Sequence, residues 1–401
     1  MVVQTIIDTL VGAASFILVL SLVVFIHELG HYSVARFFKV AVEKFSIGFG
    51  KPIIKWKAKS GTVWSIGRIP LGGYVKFFGD AGAASNPDLE RLEQIKLNMH
   101  MVHGKDAWKT CLHFKPLYQR ALVVAAGPFA NFILAAVLYA GIALTYGTPQ
   151  LLAKVASVLP GGAAESAGFQ IDDEFVSING KETKLFRDVV QIITLSSGTE
   201  LEIIVKRNND LKTINVTPVR TKRKDAAGGT YEAGQIGVSF SGENVVYKSN
   251  NILEAGAFGV GNVYTTLAST GTYLKRIFQG KEDGKSLGSV VKIAAITGKI
   301  GAKALNVEGS AGVKLKTWTL SLIEIAAGLS IALGFANLMP IPVLDGGHLV
   351  YYGYEAIMRR PLSEKAQEIG FKLGFTVLIT LFLVLTWNDI GYVADMFGNN
   401  G

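Results

Sequence analysis

Four stretches of the chain carry almost no charge, and each is about as long as a bilayer core is thick. They run from Thr9 to Ile26, from about Leu122 to Thr145, from about Thr319 to Met339 and from about Phe371 to Trp387. Roughly 20 apolar residues in a helix cross the hydrocarbon core, where a helix satisfies its own backbone groups. Each stretch therefore predicts one membrane-spanning helix. Glu324 interrupts the third near its start, where it can sit at an interface.

Between these runs the pattern changes. From Phe45 to Phe78 apolar and polar residues alternate, which predicts short strands over Lys55 to Lys59 and Thr62 to Ile66 around a Lys59-Ser60-Gly61 turn. Pro70, Gly72 and Gly73 predict a further turn. Residues 151 to about 219 read as a strand, a Pro-Gly-Gly turn, a short Ala-rich helix and a second strand ending at Asn179-Gly180. A helix over FRDVVQIITLSSG and two strands around Asn208 to Asp210 follow. After Arg220 comes a basic connection, and Asn251 to Lys316 holds two amphipathic segments, fit either for the outer membrane surface or for packing on the preceding domain.

Composition agrees with the spans: 49% of the 401 residues are hydrophobic and only 18% are charged. A signal peptide is disfavoured for the first run, because no basic residue precedes it and no cleavage signal follows. Cys111 is alone, which excludes an intramolecular disulfide and a four-cysteine zinc site. The net charge of +9 comes with no nucleic-acid motif, so an anionic bilayer surface accounts for it and nucleic acid is not an expected partner.

Charge also orients the chain. Between Arg36 and Lys115 stand 14 Lys or Arg against 6 Asp or Glu, and Arg359, Arg360 and Lys365 lie between the third and fourth spans. The positive-inside rule places both connections in the cytoplasm, and both termini and the middle region outside it. The end of the first span and the residues after the third then share one membrane depth.

Those two places hold the candidate chemistry. In HELGH, His27 and His31 stand one helical turn apart and can offer two nitrogens to one metal ion, with Glu28 beside them to act on a water. Ionisable groups ending an uncharged span are costly unless paired, wetted or bound to metal. A catalytic zinc takes three protein ligands and keeps one open position. Of the remaining candidates, His100, His103 and His113 lie in the first connection; Asp345, in NLMPIPVLDGGH, lies at the matching depth and is favoured, with His348 second. Pro340 and Pro342 stop a plain helix there, and Gly346 and Gly347 permit close backbone approach. Asn337 can bond carbonyls bared by that break or orient substrate. Asn131 can bond a peptide carbonyl or oxyanion, or another helix.

With HELGH at 27–31, GRIPLGGYVKF at 67–77, AAGPFAN at 125–131 and NLMPIPVLDGG at 337–347, the chain resembles the bacterial site-2 proteases, the zinc metalloproteases of regulated intramembrane proteolysis. The resemblance implies zinc on His27, His31 and Asp345 and a catalytic base at Glu28. It implies an active site inside the bacterial inner membrane near its cytoplasmic face. It assigns the region holding Gly72 and Gly73 to a membrane-associated β-hairpin and loop that receive extended substrate. The substrates it implies are single-pass proteins trimmed by an earlier site-1 cleavage, anti-sigma factors above all and remnant signal peptides besides. Residues 151–219 resemble one PDZ domain, placed by topology on the periplasmic side.

The expected fold is thus a polytopic α-helical membrane protein, a four-helix metalloprotease core with a β-hairpin and an inserted extracytoplasmic PDZ domain. Residues 1–147 and 318–401 supply the halves of the core, 148–220 the PDZ domain, and 221–317 a linker with amphipathic helices. A transporter would be expected to show inverted repeats, and none is evident.

Overall fold

The computed structural model describes residues 2–78, 94, 96–97, 107–183, 185–224, 230–241, 245–279 and 290–398. The chain divides into two compact units, Met1–Ala140 with Gly259–Ala268 and Leu287–Gly401, and Gly141–Phe258 with Ser269–Ser286.

In the first unit α1 (Val2–Phe37) continues unbroken through HELGH. It is followed by β1 (Val42–Lys57), β2 (Val63–Phe77) and α2 (Leu117–Tyr146). β1 and β2 are each folded once, so that they make four paired segments, of which 44–47 and 63–66 run in the same direction. Residues 42–47 pair on one side with 73–77 and on the other with 63–66, which in turn pair with 54–57. The fold in β1 falls at Gly48 and Gly50, whose φ angles of +79° and +85° suit glycine alone among ordinary residues. The expected turn at residues 59–61 is present, with the Gly61 N–H donating to the Ala58 carbonyl at 2.9 Å. The expected turn at Pro70, Gly72 and Gly73 falls where β2 reverses between its segments 63–66 and 73–77: Gly72 has a φ of +119°, and Gly73 begins the second segment, pairing with Ile47.

The second unit contains β3 (Thr148–Leu151), β4 (Val155–Val158), the short α3 (Ala163–Ser166), β5 (Glu174–Ile178), β6 (Lys181–Glu182) and α4 (Phe186–Leu195). β7 (Leu201–Arg207), β8 (Asp210–Val216), β9 (Val219–Lys224), β10 (Thr230–Gln235), β11 (Val238–Phe240) and β12 (Val245–Lys248) complete it. Its main sheet has the order β6-β5-β7-β8. Positive φ at Asn179 and Gly180, and at Asn208 and Asn209, makes the two tight hairpin turns that those residues favour. The strands run on past residue 220: β9 pairs with β10, β11 with β4 and β12 with β3. Val189 and Ile193, one turn apart on α4, are buried with Phe175, Ile203 and Val205 in one core. Asp173 is fully buried and accepts two hydrogen bonds of 2.7 Å from Arg207.

The first unit resumes in α5 (Ile252–Phe278), through its residues Gly259–Ala268. Then come α6 (Val290–Leu305), α7 (Ala311–Asn337), α8 (Asp345–Met358) and α9 (Glu364–Gly398). Four helical segments, Leu10–Phe37, Leu117–Tyr146, Ala311–Asn337 and Lys365–Trp387, have mean hydropathies of 1.8 to 2.5 and can cross a membrane. The protein is a multi-pass membrane protein. α1, α2 and α7 are packed together: Val19 and Val23 meet Leu322 and Ala326, and Ala135 meets Ala327 and Ile331. α6, expected on the membrane surface or on the middle domain, instead packs on α1, where a Cβ on Gly12 would stand 2.7 Å from Gly298 Cα. Small residues at such crossings let helix backbones approach closely.

After Asn337 the chain makes two successive tight turns, Ile341 N–H to Met339 carbonyl and Val343 N–H to Ile341 carbonyl, both 2.7 Å. α8 then starts at Asp345. Gly346 and Gly347 are buried against this turn, and a Cβ on either would collide with the carbonyls of Leu338, Met339 or Ile341. α8 is further held to α2 by Arg120, whose guanidinium makes bonds of 3.1 and 2.5 Å to the two Glu355 oxygens.

Candidate metal centre and active site

Residues more than 300 positions apart converge at the end of α1 and the start of α8. His27 and His31 stack one turn apart with rings nearly perpendicular. The Nε2 atoms lie 3.3 Å from each other, and 3.3 and 3.4 Å from Asp345 Oδ2. A tetrahedral zinc with bonds of about 2.0–2.1 Å spaces its ligand atoms by about 3.3–3.4 Å. The three atoms thus form a triangle of the size zinc requires. Both histidines are buried, and Asp345 Oδ2 is a buried acceptor with no well-directed hydrogen bond among the described residues. Three electron-pair donors facing one point, with so little bonding of their own, fit a cation.

The centre opens on a cavity of about 190 Å³ lined by Glu28, Gly73, Tyr74, Asn337, His348 and Tyr352 among others. Glu28 precedes the Leu-Gly-His turn and faces this space beside the three donors. The strand carrying Gly73 passes close to it: a Cβ on Gly73 would stand 3.2 Å from Glu28 Cγ.

α2 supports the two histidines from behind. His31 Nδ1 lies 2.9 Å from the Val123 carbonyl oxygen, and His27 Nδ1 lies 3.3 Å from the Asn131 side chain. Between these contacts Gly127 leaves room for the His31 ring, which a Cβ would overlap.

The sequence matches known proteins over nearly its whole length. Residues 15–381 match the model of peptidase family M50. The chain belongs to that family. Among curated relatives, the metalloprotease MmpA of Caulobacter vibrioides is 34% identical over 95% of this chain and 96% of its own length. The putative zinc metalloprotease Atu1380 of Agrobacterium fabrum is 37% identical over 94% of both chains. As an M50, site-2-type protein, the chain is a zinc-dependent metalloendopeptidase with a membrane-embedded core.

Of the residues expected at an M50 site, His27, Glu28, His31, Asp345, Asn337 and Gly73 all border one cavity. His348 lines it too but stands outside the ligand group, its ring edge-on to Tyr351 at 6.2 Å. Asn131 is fully buried behind His27 and does not line the cavity. Gly72 lies one residue from the site, with φ +119°, and a Cβ there would press on the Phe49 ring at 2.5 Å. His100 and His103 lie outside the described residues. Gly127 and the Val123 carbonyl were not legible as site groups. Their signal was the spacing of four between Val123, Gly127 and Asn131, which puts the three on one face of α2.

Proposed function

We propose that the chain is an intramembrane endopeptidase that cuts in or beside the transmembrane segment of single-pass proteins already trimmed by another protease. The observation that carries this reading is the His27–His31–Asp345 triangle at the end of a membrane-spanning helix, beside an open strand edge. His27, His31 and Asp345 are the metal ligands in this reading, and Glu28 is the general base. Bound zinc supplies the Lewis acidity that polarises the scissile carbonyl and acidifies the attacking water. Glu28 accepts that water's proton and returns it to the leaving amine. No nucleophilic serine or cysteine is needed.

A transmembrane helix hides its carbonyls in its own hydrogen bonds and must unwind before hydrolysis, so its backbone needs new partners. Gly73, Tyr74 and Val75 line the cavity on a strand segment that, among the described residues, no strand flanks on that side. Strand addition there would hold an extended substrate past Glu28. Gly72 and Gly73 keep this path clear, and Asn337 is the amide placed to meet a substrate carbonyl.

Residues 148–220 are read as a PDZ domain, on the strength of the helix α4 over the β5–β7–β8 sheet. A groove of about 510 Å³ between α4 and Ile236–Phe240, lined by Phe186, Val189, Ile193 and Ile236, would receive a chain end or extended peptide. In this reading the unit is periplasmic, the membrane is the bacterial inner membrane, the active site lies near the cytoplasmic face, and the substrates are anti-sigma factors and remnant signal peptides.

Reconstitution with a trimmed single-pass substrate tests the mechanism. Glu28→Gln is expected to keep zinc and lose about 10²- to 10⁴-fold in cleavage rate. Asp345→Asn is expected to lose both zinc affinity and cleavage. Normal cleavage by metal-free Glu28→Gln protein would sink the proposal.

A further inference from the structure

A histidine that ligates through Nε2 must carry its proton on Nδ1, and the group accepting that proton fixes the ring. For His31 the acceptor is the Val123 carbonyl, at 2.9 Å. For His27 the group at Nδ1 is the Asn131 carboxamide, at 3.3 Å. Asn131 is 0% exposed, and the ring of His27 stands between it and the cavity it does not line. Asn131 Oδ1 is buried with no hydrogen-bond partner among the described residues, while Nδ2 is the atom next to Nδ1. The two amide ends have nearly the same shape and exchange by a half-turn. That half-turn brings Oδ1 to the Nδ1–H, gives the orphaned oxygen its partner and leaves the Nε2 lone pair aimed at the Asp345 side. The Asn131 backbone is itself anchored, its carbonyl accepting from Ser330 Oγ at 2.8 Å.

We propose that Asn131 is the positioning residue of His27, accepting its Nδ1–H so that Nε2 is held ready for zinc, and that it touches neither substrate nor oxyanion. α2 then supplies the outer partner of both histidines from a single face, Val123 for His31 and Asn131 for His27, with Gly127 between them. This rests on the reading of His27 as a zinc ligand.

The test is zinc affinity of the purified full-length protein in detergent, measured by competition with a chromophoric chelator, for wild type, Asn131→Leu, Asn131→Asp and His27→Ala. Loss of an outer partner typically costs about 10- to 100-fold in metal affinity, and that is the loss expected for Asn131→Leu. Asn131→Asp, whose carboxylate still accepts from Nδ1–H, is expected to stay within about threefold of wild type, with a wild-type visible spectrum when cobalt replaces zinc. An oxyanion role predicts instead that Asn131→Leu keeps wild-type zinc affinity and that the negative charge of Asn131→Asp abolishes cleavage at saturating zinc, cleavage that the positioning role expects Asn131→Asp to retain. That pattern, or loss of zinc by Asn131→Asp, overturns the proposal. Should Asn131→Leu fail to fold, the Asn131→Asp result decides alone. If His27→Ala binds zinc as wild type does, the ligand assignment itself fails; if His27→Ala loses zinc and Asn131→Leu does not, only the role of Asn131 fails.

Discussion

In the second unit, apolar side chains from Ala153 to Ile236 gather into one core, and the buried charge of Asp173 is matched by Arg207 beside it. The first unit is built otherwise. Its helices bury small, separate apolar clusters and leave Leu18, Ile133 and Leu383 exposed, while His27, His31, Asn131 and Ser330 are inside. The difference follows from the surroundings. In water, apolar burial drives folding and a buried charge is tolerated when paired. In lipid, outward apolar groups are already at home, so close backbone packing and polar contacts join the helices. Buried polarity in the second unit is therefore structural, and in the first it surrounds the chemistry.

The contrast breaks most sharply at Gly127. Gly127→Val drives a branched side chain into the His31 ring and is expected to lower zinc affinity by at least about 100-fold, read by metal analysis of the purified protein. Unchanged zinc content would show that α2 does not press on the ligands. Ile203→Ala, in the second unit's core, is expected to cost about 2–5 kcal/mol and to expose that unit to limited proteolysis while zinc stays bound. Asp173→Ala should act in the same place by about 2–3 kcal/mol, less than for a fully buried pair because Arg207 can reach water. Loss of zinc in either variant would show that the two units are energetically coupled. Smallest is Leu383→Ala on α9, whose span has only 6% of its residues buried; a change below about 0.5 kcal/mol in thermal unfolding is expected, and a large one would reveal a packed partner for that face.

Much of this was legible in the sequence. Spans free of charge announce themselves by length, and HELGH and LDGG declare their chemistry because few other roles justify histidines and an aspartate at membrane depth. Asn179-Gly180 and Asn208-Asn209 marked their turns, since asparagine and glycine accept positive φ. What stayed hidden depends on partners distant in the chain. Residues 42–47 become the centre of a sheet only when 73–77 arrive beside them, and β11 finds β4 some eighty residues away. α6 looked interfacial because its lysines are visible in sequence, whereas the fit of Gly298 against Gly12 is not. Gly127 read as one more small residue in an apolar helix until the His31 ring was seen lying over it.

The division of the His27, His31 and Asp345 donors between α1 and α8 also bears on how the protein is made. During synthesis the two histidines enter the membrane early, and at about 5–20 residues per second the aspartate follows roughly a quarter of a minute to a minute later. Through that interval a nascent chain holds the two imidazoles and Glu28 without the Asp345 carboxylate. A product truncated or stalled before Asp345 keeps the HELGH sequence yet lacks the third donor. The order of these residues along the chain thus defers the complete donor set until the aspartate has been translated.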